Sequence, residues 1–553
     1  MTTPAGVPRP ATGPSVSPPA DLTYHPLSAR FPKWGLVYPM RLRDAFGDMG
    51  RLSRTVWGIV AFKLALHLGS SAQGYGLFGD ELYYLACADH LDLGYVDHPP
   101  MSIWLLEVWR AAFGDSLFAL RALTALFGAG AVLCAGLLAR DLGGGRTAQS
   151  LTALAAALVP VNLVVHGYYS MNAIDIFVWG AAFVLIGRLL RTASRGRWLW
   201  LGFLLGLGLL NKFSVLWLGA GFFLGLLATP HRRLLMSPWP WLAGALAFAM
   251  LVPHLLWQFA HDWPTAEFMR VATTEKMLPV GPVQLLGQQI LVMNPLLAPV
   301  WIAGLFLLLR GKQRSGPERV YAAVFLTTAA ILIANGTSRP NFLALAQLPL
   351  IAAGSIGLER LGRARWRWLP PAYIALFTAV SLVAAPLAVP LLPVHKTSDL
   401  QAFLGIEIPQ MEDRQEGAIL PHFAEMHGWA TMAATTAEVW QTLSDDERSR
   451  AAIFAGNYTV GAAVDRYGRE HGLPPVIGGH NSYWLWGPRD TQGEVMLLLG
   501  GKREDYAPYW ENIERTRTWD CSPCLPGRIK TIWIARDLKQ PFSQFWLDAR
   551  EYH

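Results

Sequence analysis

Charge is scarce in this chain of 553 residues: Asp, Glu, Lys and Arg together make up 15% of it, against 52% hydrophobic residues. That shortage excludes a string of solvated domains and points to a polytopic membrane protein. Basic residues outnumber acidic ones by 46 to 39, yet the arginines stand in short clusters between apolar runs and form no single basic face. Nucleic acid is therefore excluded as a partner. Cysteine is scarce too, and four residues do not make a disulfide scaffold. Cys87 and Cys134 fall in or near apolar runs, whereas Cys521-Ser-Pro-Cys524 lies in the polar C-terminal part. That pair could be a disulfide, half of a metal site or two thiols; an extracytoplasmic location favours a local disulfide. The Pro-, Ser- and Thr-rich first forty residues lack the apolar core of a signal peptide. Residues 1–50 are expected to be a disordered cytoplasmic tail, with Met40 and Met49 as alternative starts. Internal repeats and long charge runs are absent.

What is abundant is apolar sequence of membrane-spanning length. Runs occupy Thr55 to Gly74, Leu117 to Ala139, Ala148 to Val165, Ala173 to Leu190, Trp198 to Leu210 and Phe213 to Thr229. Others follow at Trp241 to Ala260, Val283 to Leu309, Val320 to Asn335, Phe342 to Leu358 and Leu369 to Val394. The expectation is an α-helical polytopic bundle of about eleven transmembrane helices over residues 51–394. Arginine clusters recur at every second connection: Arg51 and Arg54, Arg140 and Arg146, Arg188 to Arg197, Arg232 and Arg233, Arg310 to Arg319, and Arg360 to Arg367. The positive-inside rule then puts the N-terminus in the cytoplasm, and the other connections and the C-terminal part outside a multi-pass cell membrane. Residues 395–553 mix polar and apolar positions, with β-like runs at Val495 to Leu499 and Thr531 to Ala535 and helical patterns at Ala437 to Leu443 and Val460 to Arg469. They read as an extracytoplasmic α/β domain.

The candidate chemistry sits in the first outer loop, residues 75–116. Gly79-Asp80-Glu81-Leu82-Tyr83-Tyr84 leads to Gly94-Tyr95-Val96-Asp97-His98-Pro99-Pro100. Acids at a bilayer edge are costly unless solvated, paired or used. Asp80 and Glu81 diverge by about 100° on a helix, so one can act as a base while the other orients it or binds a metal. The alternative is a solvated loop with interfacial aromatics. Met101 to Phe113 is too short to span and suits an interfacial helix opened by the two prolines. A second acid, Asp175, follows Asn172 at the start of a span; Asn172 could instead cap that helix. Lys212 and Arg339 are cations on the same side, and Lys212 could pair with an anion or snorkel to the interface. His254 and His261 suit hydrogen-bonded interface residues better than ligands.

These stretches resemble the first outer loop and second acidic motif of glycosyltransferase family 39, the bacterial relatives of protein O-mannosyltransferases and of the lipid A aminoarabinose transferase. Gly456-Asn457-Tyr458, Gly472-Leu473-Pro474-Pro475 and Gly479-His480-Asn481-Ser482-Tyr483-Trp484-Leu485-Trp486-Gly487-Pro488 are similar to the outer domain of one bacterial branch. The resemblance implies a GT-C fold and inverting transfer of a sugar from a polyprenyl-phosphate carrier to a glycan, lipid or protein acceptor outside the membrane. It makes Asp80 the catalytic base. Glu81 and Asp175 would hold donor, acceptor or a divalent metal ion. Tyr83, Tyr84, Asp97, His98, Asn172, Lys212 and Arg339 would bind substrate. His98 departs from the family, where a lysine often precedes the double proline, and Arg339 stands in a loop lacking the family's Lys and Tyr-Tyr pattern. No Gly-rich nucleotide fingerprint accompanies a strand–helix unit, which suits a donor that is not a sugar nucleotide. Two rivals belong to other classes: a transporter or flippase of lipid-linked glycans, which needs polar residues near the bilayer midplane, and a non-catalytic glycan-binding envelope protein.

Overall fold

The computed structural model describes residues 52–311, 316–405, 419–519, 521, 524 and 530–553; the expected N-terminal tail lies outside them. Helices form on all eleven apolar runs, because a backbone in hydrocarbon must satisfy its own hydrogen bonds. Among the described residues, six are long and apolar enough to cross a membrane: Leu117–Asp141, Met171–Thr192, Trp239–Ala260, Glu318–Asn335, Pro340–Ala364 and Leu369–Leu387. A seventh is counted if Pro282–Val292 and Pro295–Leu309, bent by 104°, make one span. The remaining runs give shorter helices, Arg54–Ser70, Arg146–Leu158, Arg195–Asn211 and Val215–Leu227. In the third run Val159 is extended and Pro160 begins a new short helix, since proline cannot donate the next backbone bond.

The bundle has two chemically distinct ends. At one, Arg188 Nε donates to Asp141 Oδ2 at 2.6 Å, Gly145 N to Glu359 Oε2 at 2.7 Å, and Ser53 N to Gln149 Oε1 at 3.0 Å. These bonds join the arginine-rich connections. At the other, Asn211 Nδ2 donates to Met171 O at 2.9 Å, His254 Nδ1 meets Leu93 O at 3.0 Å, and Val280 N donates to Gly336 O at 2.7 Å. The first loop lies at this second end. His254 and His261 each meet a backbone carbonyl there, Leu93 O and Trp257 O.

The C-terminal part forms a mixed five-stranded sheet. Its strands are β1 (Ala451–Ala455), β2 (Ile477–Gly478), β3 (Val495–Leu499), β4 (Trp510–Trp519) and β5 (Lys530–Leu538), in the order β2-β1-β3-β5-β4. β1 runs parallel to β2 and β3, and β5 runs antiparallel to β3 and β4. Alternation sorts the side chains: Phe454, Met496 and Leu498 pack on Trp510, Phe542 and Phe545. Ile453, Ala455, Leu497 and Leu499 face the opposite way, toward Val460, Ala463 and Val464 of the Tyr458–Tyr467 helix. That second core is continuous with Leu82, Tyr83, Tyr84, Tyr169 and Val178, so the sheet layer and the first loop share one apolar interior. Cys521 and Cys524 form a disulfide, which selects one of the three alternatives open to that pair.

Candidate active site

Asp80 and Glu81 open the Gly79–Ala88 helix, and their environments separate them. Glu81 is buried with both oxygens engaged: Oε2 accepts from Phe78 N at 2.8 Å, in the manner of a helix N-terminal cap, and Oε1 accepts from Tyr169 N at 2.8 Å. The Arg121 guanidinium lies 3.7 Å from Oε2, also buried, and donates to Gly76 O at 2.8 Å. Burial raises the Glu81 carboxyl above its ordinary range, opposed by Arg121 and the backbone donors. Asp80, one position earlier, is only half-buried, and its Oδ1 accepts from Tyr458 Oη at 3.1 Å. Its carboxyl is pushed up to about 6, first by burial and then by the Glu425 carboxylate, against Lys276 and the Tyr458 hydroxyl. That value suits a base working near neutrality.

Close approach explains the motif's glycine. A Cβ on Gly79 would stand 2.7 Å from Thr459 Cγ2 and 2.9 Å from Glu425 Oε2, so only glycine lets the C-terminal part pack here. Tyr83 joins the two parts: its hydroxyl lies 2.8 Å from Ser482 Oγ and 2.9 Å from Asp97 Oδ1, and its ring is 4.5 Å from that of Tyr458. Tyr84 Oη accepts from Met171 N at 3.3 Å. His98 is fully buried between Tyr84, at 4.8 Å, and Tyr95, at 5.0 Å, with Nδ1 on Pro99 O. This enclosed ring is not where a phosphate-binding lysine's substitute was expected to stand. A helix forms at Met101–Phe113, burying Ser102, Ile103 and Leu106 and exposing Val108 and Phe113.

The second acidic motif lies deeper. Asp175 is buried and both its oxygens accept from Ser214 Oγ, at 2.8 and 2.7 Å. Ser170, not Asn172, caps the helix, accepting from Asn172 N at 3.3 Å. Asn172 instead accepts from Lys212 Nζ, which also sits 4.7 Å above the Phe342 ring. Arg339, half-buried, interacts electrostatically with Lys212 and with Tyr168, whose ring stacks on Phe78 at 4.1 Å. Tyr458, Glu425, Lys276 and Asp97 thus gather around the Asp80 carboxylate, while Lys212 meets Asn172 and lies near Arg339 at another position of the same end. Among the described residues no group of three or more His, Cys, Asp or Glu is placed to hold a metal ion. Glu81 and Asp175, which would complete such a set with Asp80, have their oxygens committed to protein donors. The described residues therefore offer a metal no ready set of ligands.

Tyr458, Glu425, Lys276, Arg121 and Ser214 carry contacts that no local signal marked. Tyr458 did stand in a noticed motif, but nothing in Gly456-Asn457-Tyr458 says that its hydroxyl reaches a residue 378 positions away.

A membrane-helix bundle with an acid-bearing loop at one end, covered by an α/β layer, is a GT-C-like fold. Residues 97–257 match the family model described as dolichyl-phosphate-mannose-protein mannosyltransferase. Over 260 residues the chain is 24% identical to lipid A galacturonosyltransferase RgtD of Rhizobium johnstonii, covering 46% of this chain. The match covers 54% of that protein, so the chain spans about half the length of this curated relative. In three dimensions it resembles ArnT from Cupriavidus metallidurans bound to undecaprenyl phosphate, with a TM-score of 0.60 and 15% identity over 87% of this chain and 98% of that one. ArnT in its apo state gives a TM-score of 0.57 at 15% identity, over 87% and 97% of the two chains. At this identity the likeness concerns the fold.

Proposed function

We propose that this chain transfers a sugar from a polyprenyl-phosphate carrier to an acceptor hydroxyl at the outer face of the cytoplasmic membrane, with inversion. Asp80 is the general base. The observation that carries the reading is the pairing of a half-buried Asp80, its carboxyl held near neutrality, with a neighbouring Glu81 whose oxygens are all engaged. As the acceptor oxygen attacks the anomeric carbon, its proton passes to Asp80. The bond from that carbon to the phosphate oxygen breaks, and its electron pair leaves on the carrier phosphate. Lys212 and Arg339 are the cations we assign to that developing charge, because preorganised donors favour a leaving group where charge appears. Glu81 positions the loop, Asp175 acts on Lys212 electrostatically, and Asp97 orients the Tyr83–Ser482 contact. The enclosed His98 packs the loop against Tyr84 and Tyr95.

In this reading residues 51–394 are the membrane-embedded catalytic part and residues 395–553 its outer domain. A lipid-borne donor accounts for a site at the bundle end, since the prenyl tail remains in the bilayer. Purified protein in lipid, given a panel of undecaprenyl-phosphate-linked sugars with lipid A or a serine-containing peptide as acceptor, should release undecaprenyl phosphate with one member of the panel. Translocation of a lipid-linked glycan across vesicles without any release would favour the flippase and overturn the proposal. Orientation has its own check. Leu91, in the first loop, and Met236, in an arginine-rich connection, are both exposed, and the free cysteines Cys87 and Cys134 are buried. An impermeant thiol reagent added to intact cells should label Leu91→Cys and spare Met236→Cys. The reverse pattern would place the site in the cytoplasm.

A further inference from the structure

Two residues of the C-terminal part reach Asp80 or the backbone beside it. Tyr458, first residue of the Tyr458–Tyr467 helix, donates its hydroxyl to Asp80 Oδ1 at 3.1 Å. Glu425, 6% exposed, ends the short Pro421–Ala424 helix, and its Oε2 lies where a Gly79 Cβ would stand 2.9 Å away, against the backbone that carries Asp80. Its turn is fastened to the first loop where Gly76 N donates to Met426 O at 3.0 Å, and is closed on its own segment where Trp429 Nε1 donates to Glu425 O at 2.8 Å. The two residues are of opposite chemical sense. One donates a hydrogen bond, and the other presents a second carboxylate.

We propose that Glu425 and Tyr458 are positioning residues for Asp80, through which the C-terminal part acts on this carboxylate in two opposing directions. A hydrogen bond to the charged form favours ionisation, whereas a like charge nearby disfavours it. Burial raises the Asp80 carboxyl most, Glu425 adds to that rise, and the Tyr458 hydroxyl opposes it. Lys276, Asp97, Tyr84 and Tyr168 are the other charged or titratable groups facing Asp80, and each remains in place when Glu425 or Tyr458 alone is changed. The arrangement yields a base strong enough to take a hydroxyl proton, yet ionised at neutral pH. It also makes the C-terminal part necessary to the chemistry and not only a cover. The catalytic meaning rests on Asp80 being the base; the electrostatic coupling does not.

The test therefore reads Asp80 directly. Infrared titration of the full-length protein in lipid nanodiscs, with Asp80→Asn as the blank, isolates the carboxyl band of Asp80. Glu425→Gln should move its midpoint to lower pH by about half a unit or more, and Tyr458→Phe should move it to higher pH by a similar amount. Glu425→Asp, which keeps the charge, should leave it near the parent value, and the Glu425→Gln/Tyr458→Phe pair should partly cancel. A merely structural role would move both single variants the same way, as loosening admits water. Shifts of one sign, or no shift in either, overturn the proposal. Should Glu425→Gln fail to fold, the near-isosteric Tyr458→Phe decides alone: an upward shift supports the proposal, and an unmoved midpoint overturns it. The acid limb of undecaprenyl phosphate release should follow the same two directions. If the infrared shifts occur while Asp80→Asn still transfers sugar, the coupling stands and the assignment of the base falls.

Discussion

Asp80→Asn should abolish carrier-phosphate release, lowering the rate by about 10²–10⁴-fold, the usual worth of a positioned general base. The substitution keeps the side chain's size and can still accept from Tyr458, so folding should be intact. What it removes is the ability to take a proton. The parent rate should fall as pH drops through about 6, where Asp80 becomes protonated, and be lost in acid. A carrier sugar phosphodiester does not titrate in that range, so the limb belongs to the protein. Retention of more than about a tenth of the parent rate by folded Asp80→Asn would remove Asp80 from the chemistry, since no general base contributes so little.

Much of this was legible before any coordinates. The eleven apolar runs become helices because hydrocarbon leaves a backbone few alternatives, and Pro99-Pro100 does open a surface helix. The strands Val495–Leu499 and Lys530–Leu538 follow β-branched and aliphatic runs that could be read. Ala451–Ala455 and Ile477–Gly478 could not be read, because the first is mostly alanine, which strands disfavour, and the second has only two residues. Within the site, adjacency was the obstacle. Asp80-Glu81 shows two acids, but which one is committed depends on Arg121 and Tyr169, 40 and 88 positions further on, and on Glu425 and Tyr458 from the far end of the chain. Asn172 looked like a cap, yet Ser170 has the extended backbone and the oxygen that reaches the helix start. The resemblance sets His98 at the substrate, because it stands before the double proline where the family often has a lysine. Its enclosure by Tyr84 and Tyr95 is a property of three-dimensional packing that a motif does not record.

The opposite behaviour is expected one residue along. Glu81→Ala should destabilise the protein by about 3–5 kcal/mol, the cost of leaving a buried partner charge uncompensated. Arg121 would be that charge, since it is 1% exposed and has Glu81 Oε2 at 3.7 Å. The same truncation leaves Phe78 N and Tyr169 N without their acceptor, each worth about 1–3 kcal/mol when buried. Thermal unfolding in detergent should show Glu81→Ala far below the parent, with activity falling only as the folded fraction falls. Arg121→Ala should behave alike, because it strands Glu81. Replacing both by neutral residues of similar volume, Glu81→Gln with Arg121→Met, should be milder than either truncation, as removing a buried pair together costs less than breaking it. Stability equal to the parent in Glu81→Ala would mean that the pair does not fasten the loop. Taken with the first result, the two neighbouring acids separate cleanly: one variant keeps its fold and loses its chemistry, while the other keeps the base and loses the scaffold that aims it.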